Sequence, residues 1–379
     1  MNTMTVLRWS IVSGALSVLA CPTAAQTVRP TQTARLPEEF SSVRGVRELA
    51  DGRILVSDYI DQRVVLVDLE RGTVTPRIGK GGGPAEARLP TRLVAIPGDS
   101  SLLVDLGNNR LLVLDGQGRA VRSISAERPG LLGVRGREPG GALVYAVPGW
   151  AMQRGGRPPD SVRIVRWNPR SEAADTLAVV LGDRMRSDID KPALTPRIPT
   201  VGHAAFDGWA VGEHGVLRIV RAGGYHVETV AAGRAPVRGP GYGYATRLVS
   251  AADKEAYVRR FLANSPMSGK GENGGMGYSP QPSAEELAAL LKGTEFAARH
   301  PMFSPTDVLA ASGERLWVGR PAEEGKAVLY DVFDGTGTRV MQVELPAGRR
   351  VMAVGIRGVY AVAESEDGIQ HLERYALPR

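Results

Sequence analysis

The sequence predicts an all-β chain, a six-bladed β-propeller with a helical insertion between blades four and five. The first observation behind this is a gapless repeat. Ile54-Leu55-Val56-Ser57-Asp58 with Arg63-Val64-Val65-Leu66-Val67-Asp68 returns 47 positions later as Ser101-Leu102-Leu103-Val104-Asp105 with Arg110-Leu111-Leu112-Val113-Leu114-Asp115. Each unit reads as turn, short apolar strand, loop and second apolar strand. A period of about 40 to 50 residues with several strands per unit marks a propeller blade. The second observation is that four further segments repeat the grammar. The third is one segment, residues 250 to 299, that breaks it with helical periodicity.

At the N-terminus, the apolar run Trp9–Ala20 follows a lone Arg8, and Thr23-Ala24-Ala25 supplies small residues at a cleavage position. This run is too short to span a bilayer, so residues 1 to 25 read as a secretory signal, with the propeller occupying 26 to 379. Cys21 after Val18-Leu19-Ala20 offers a second reading, in which that cysteine is lipidated and anchors the chain to a membrane. It is the only cysteine, so no disulfide or thiolate-held metal is expected. The formal charge of +7 includes Arg8. For an exported chain, a basic balance favours acidic glycans, anionic small molecules or envelope proteins as partners over nucleic acid.

The third unit combines Leu143–Ala146 with Val162–Trp167, and the fourth combines Asp207–Gly212 with Val216–Val220. The fifth combines Leu316–Val318 with Val328–Asp334, and the sixth runs from Val351 to Tyr375. Closing the ring requires an outer strand for the last blade, which residues Thr27 to Leu36 can supply. Trp209 and Trp317 read as packing between blades.

The inserted segment contains two helices. Ala251–Ala263 opens with Ser250 and Asp253, Ala284–Ala298 with Ser283 and Glu286, both in the capping-box pattern. Tyr257 with Phe261, and Leu287 with Leu291, give each helix an apolar stripe. The glycine-rich stretch from Ser268 to Gly277 lacks the Gly-Lys-Ser/Thr ending of a phosphate loop. It is expected to be a linker over one face of the disc.

The run Gly79-Lys80-Gly81-Gly82-Gly83-Pro84 through Leu89-Pro90, then Leu102 through Asp115, resembles the NHL repeat and the exported six-bladed propellers built from it. The likeness is good over residues 48 to 125, weaker over 306 to 345 and architectural elsewhere. It implies an Asp closing one strand and an Arg opening the next, matched here by Asp58 with Arg63 and Asp105 with Arg110. Each is expected to form an exposed hairpin pair worth about 0 to 1 kcal/mol. Blade five carries Arg320 where the Asp would stand.

Aligned on the turns, Arg44, Arg92, Arg135, His203, Asp307 and Arg350 occupy nearly equivalent places before the second strand, facing the central channel. Guanidinium groups converging there suit a carboxylate or phosphate, with Asp307 partly compensating them. The five histidines, His203, His214, His226, His300 and His371, show no metal-ligand spacing. No cofactor, metal or catalytic residue is therefore expected. The reading is a non-catalytic exported propeller binding an anionic small ligand or glycan, or an envelope or extracellular protein. The alternative is a metal-dependent propeller hydrolase, lactonase or lyase acting at the channel, with His203 and Asp307 as its candidates.

Overall fold

The computed structural model describes residues 26–147, 161–182, 201–231, 233–263, 283–323, 325–365 and 368–377. Residues 1 to 25, read above as a secretory signal and containing Cys21, and the glycine-rich stretch from Ser268 to Gly277 lie outside them, as do the side chains of Phe261 and Glu286.

Six antiparallel sheets stand around an axis. Their inner strands are Val43–Glu48, Pro90–Ile96, Gly136–Arg137, Gly208–Val211, Val308–Ala311 and Arg349–Val354, in blades one to six. Each inner strand neighbours the next, and the last neighbours the first, so the ring is closed. The chain is a six-bladed β-propeller.

Why these residues form blades follows from where their side chains go. The second and third strands are buried on both faces, as in Ile54–Asp58 and Leu111–Leu114, because a blade is sandwiched between two others. The cores therefore straddle seams. Val94, Leu102 and Leu111 of blade two pack against Val134, Leu143, Tyr145 and Trp167 of blade three. Burying each such side chain contributes about 1.5 to 3 kcal/mol. Near the axis the sheets crowd together and side chains give way to glycine. A Cβ on Gly45 would stand 2.6 Å from the Thr91 carbonyl oxygen of the next blade, and one on Gly136 would stand 2.3 Å from Val211.

The N-terminal segment closes the ring differently from the expectation. Gln32–Phe40 forms the outer strand of blade six, running from Gln32 opposite Tyr375 to Phe40 opposite Gln370. Thr27 and Val28, assigned to that same strand from sequence, instead pair in parallel with Gln342 and Val343 of blade five. One segment thus latches two blades.

Blade four is shifted by one strand from its sequence reading. Gly208–Val211 is the inner strand, and Leu217–Arg221 and His226–Val230 follow it. The cause is burial: all four residues of this inner strand are buried, so it reads like the second strand of any other blade.

Between blades four and five lie α1 (Ala251–Ala263) and α2 (Ala284–Gly293). The second helix stops at Gly293, short of the expected Ala298, because glycine favours the end of a helix and Glu295–Phe296 then pairs in parallel with Val201–Gly202. That strand pair ties the insertion to the connection entering blade four. Both connections run from an outer strand to the next inner strand, so they share the face of the disc on which inner strands begin.

Candidate functional site at the channel mouth

That face also holds the heads of the inner strands, and buried acids fix them. Asp58, fully buried, accepts hydrogen bonds from the amides of Ser41 and Ser42, immediately before the strand carrying Arg44. Asp105, also fully buried, accepts from the Arg88 amide ahead of the strand carrying Arg92. These hairpin acids anchor the segments that deliver the mouth arginines.

The hairpin pairs depart from expectation in two ways. Asp105 and Arg110 form a 2.8 Å ion pair that is sequestered, not exposed, and Arg110 also donates to the carbonyls of Gly83 and Glu86, holding the glycine-rich loop. Asp58 is occupied by backbone amides, and Arg63 turns instead to Glu38 and Asp61. In blade five the pair survives with its order reversed. Arg320 meets the buried Asp331 of the neighbouring strand at 2.9 Å, and the Tyr225 hydroxyl donates to the same carboxylate.

Four arginines stand at the mouth, from blades one, two, three and six. Arg44 donates to the Ser42 hydroxyl and lies 5.2 Å from the Tyr59 ring centroid. Arg92 donates to the Val134 carbonyl, Arg135 to the Trp209 carbonyl, and Arg350 to the Val43 carbonyl. Each of these last three guanidinium groups crosses to the following blade. Sequence reasoning placed these side chains near the axis but missed their use as inter-blade ties, because a carbonyl acceptor has no side-chain signature.

Burial lowers the pKa of Arg92, and burial together with the Arg92 charge pushes Arg135 down to about 9. Arg135 remains a cation at neutral pH, and both shifts have the direction that burial of a cation gives. Asp307, just before the inner strand of blade five, accepts a 2.7 Å hydrogen bond from the Ser304 hydroxyl. Burial raises the Tyr330 hydroxyl pKa, the Asp307 charge raises it further and the Arg350 charge opposes this.

His203 does not line the channel. The blade-four shift leaves it in the entering connection, with a left-handed backbone at φ 57°, where it packs against the insertion. Its ring lies 4.4 Å from that of His300 and 4.8 Å from that of Tyr257, and its Nε2 donates to the Asp253 carbonyl at 3.2 Å. Burial lowers its pKa, so it is neutral at pH 7. Asp253 completes a reciprocal capping box with Ser250, and its carboxylate takes two donors from Arg247, which hold it well below the usual carboxylate range. His300 Nε2 lies 3.2 Å from that carboxylate, in poor alignment for a hydrogen bond, while its buried Nδ1 has no partner among the described residues. Arg247 reaches on to Glu323 and the Ala322 carbonyl, so this cluster sits on the sector of blades four and five. Among the described residues, no three His, Cys, Asp or Glu side chains gather as metal ligands.

No family profile and no curated protein matches the sequence. Solved structures do. A gluconolactonase from Xanthomonas campestris is 13% identical, with 93% of this chain and 96% of that one covered and a TM-score of 0.45. Virginiamycin B lyase from Staphylococcus aureus is 9% identical, with 91% and 99% covered and a TM-score of 0.42. The aldose sugar dehydrogenase of Streptomyces coelicolor, bound to PQQ, is 14% identical, with 92% and 98% covered and a TM-score of 0.44. Structures sharing the fold are thus named mostly as enzymes, and the sequence reading of a non-catalytic binder is corrected on that finding. The likenesses themselves extend to the fold, the six-bladed propeller already given by the closed ring of sheets.

Proposed function

We propose that the chain is a propeller enzyme of the hydrolase or lyase class, acting on a small molecule at the mouth of the central channel. The observation that carries this is Asp307, a half-buried carboxylate at the head of an inner strand, held by Ser304 on the face of the disc where the inner-strand arginines stand. A fixed carboxylate beside fixed cations is the pairing both reaction classes use: a base removes a proton while positive charge stabilises the oxyanion that forms.

In hydrolysis of a lactone or ester, Asp307 would take a proton from water as its oxygen bonds to the carbonyl carbon, and a mouth arginine would steady the tetrahedral oxyanion. The ring or ester C–O bond then breaks, and the departing alkoxide recovers the proton. In elimination, Asp307 would instead take the proton next to a carbonyl or carboxylate, a C=C bond would form as the C–O bond at the β-carbon breaks, and the departing alkoxide would recover that proton. The described residues offer no metal-ligand set, so no step is assigned to a metal.

Export belongs to this reading, supported by the Trp9–Ala20 run and Thr23-Ala24-Ala25, as does the NHL-like repeat over residues 48 to 125. None of the described helices is long and apolar enough to cross a membrane. The intact mass of the protein from the periplasm or medium tests export: a start near Gln26 supports it, an acylated Cys21 replaces it with anchoring, and an intact Met1 contradicts both.

Activity is tested by screening the protein against lactones, carboxyl esters and uronate-containing oligosaccharides. Turnover of at least one supports the proposal, and turnover of none contradicts it.

A further inference from the structure

Resting on the reading of the mouth as a reacting site, we infer that Arg92 and Arg135 form an oxyanion subsite, and that the substrate carries a carboxylate or phosphate held across the seam between blades two and three. Arg92 lies on the inner strand of blade two, and Arg135 immediately precedes that of blade three. They are neighbours in the ring.

Each spends a donor on a carbonyl, Arg92 at 3.3 Å on Val134 and Arg135 on Trp209. A guanidinium has five N–H donors, so about four remain on each. The Trp209 ring, 4.4 Å from the Arg135 guanidinium carbon, fixes the plane of that fork. Orientation is therefore set before any ligand arrives, which is what recognition of a planar carboxylate or a phosphate face requires.

The decisive contrast is with the other sequestered arginines. Arg47 pairs with Asp99, Arg110 with Asp105, Arg221 with Asp207 and Arg320 with Asp331. The fold supplies a carboxylate to each of those guanidinium groups. Among the described residues, none pairs with Arg92 or Arg135. Asp207, at the head of the inner strand of blade four, is taken by Arg221 and by the amides of Leu181 and Ala222, and Asp307 belongs to blade five. Two cations held side by side in a confined channel repel, and a bound anion replaces that repulsion with two forked attractions.

Titration calorimetry with D-glucuronate, inorganic phosphate and methyl glucoside tests this on the wild type, Arg92→Gln and Arg135→Gln. Glutamine keeps an N–H for the carbonyl, and Arg92→Gln stands alone if the other variant does not fold. The expected result is binding of at least one anion, weakened about ten- to a hundredfold in a folded variant, with the neutral sugar silent. Glucuronate alone assigns a carboxylate, phosphate alone a phosphate. Absence of binding by both anions, or affinity unchanged in the folded variants, overturns the subsite. Anion binding that weakens as expected, in a protein that turns over nothing, leaves the subsite and removes the enzyme reading. Turnover of neutral lactones with kcat/KM undiminished in both variants does the reverse.

Discussion

The guanidinium of Arg135 lies 4.4 Å from the Trp209 ring and donates to the carbonyl of that same residue, so one side chain of blade three grips blade four by both its face and its edge. This tie sits at the channel mouth, where stability and ligand recognition meet.

Replacing Arg135 with Met is expected to lower stability by about 1 to 3 kcal/mol, the usual consequence of losing a charged hydrogen bond and leaving the carbonyl unpaired. Arg135→Lys should recover only part of this, because an ammonium lacks the planar fork. Urea unfolding midpoints at pH 7 check both.

The two hairpin pairs should respond unequally. Arg110→Ala strands the fully buried Asp105 and is expected to cost about 3 to 5 kcal/mol. Arg63→Ala removes a partly exposed guanidinium whose partners are themselves open to water, and should cost under about 1 kcal/mol. Equal losses would contradict the assignment of buried and exposed roles.

Ring closure depends on the N-terminal strand. Phe40 is buried in the seam with blade one, and Phe40→Ala is expected to cost about 3 to 5 kcal/mol in equilibrium unfolding. Val28→Ala, on the short parallel latch to blade five, should cost far less.

Acid should loosen the contact between His203 and the helical insertion. Burial lowers the His203 pKa, and the nearby His300 and Arg247 charges act in the same direction, against Asp253. Between its folded pKa and the unfolded value of about 6.5, the unfolded chain binds more protons, so stability falls as pH drops through that window. Asp253 acts lower down, its stabilisation being lost only as pH falls below about 3.9 toward its depressed folded value. Unfolding midpoints followed from pH 7.5 to 5 should decline in the wild type and decline less in His203→Gln.

Much of this architecture was legible in the chain. The second and third strands of each blade are continuous runs such as Leu102-Leu103-Val104, since both faces are buried, and turns punctuate them. Blade four was misregistered because Gly208–Val211 is as buried as those runs, and that slip carried His203 to the axis on paper and to the insertion in space. Arg320 looked like a lost acid; its partner Asp331 lies across a strand pair, at a separation that no local motif records. Arginines at the heads of inner strands could be aligned, while their carbonyl partners could not, because backbone acceptors leave no trace in a sequence.

Chemistry at the channel mouth is tested most directly by the kinetics of Asp307→Asn. Asparagine preserves the acceptor for Ser304 and removes the base. On whichever lactone, ester or uronate the wild type turns over, kcat/KM should fall by about a hundredfold or more with the melting temperature held, as loss of a general base predicts. An Asp307→Asn variant as active as the wild type would place the reaction elsewhere and contradict the central claim.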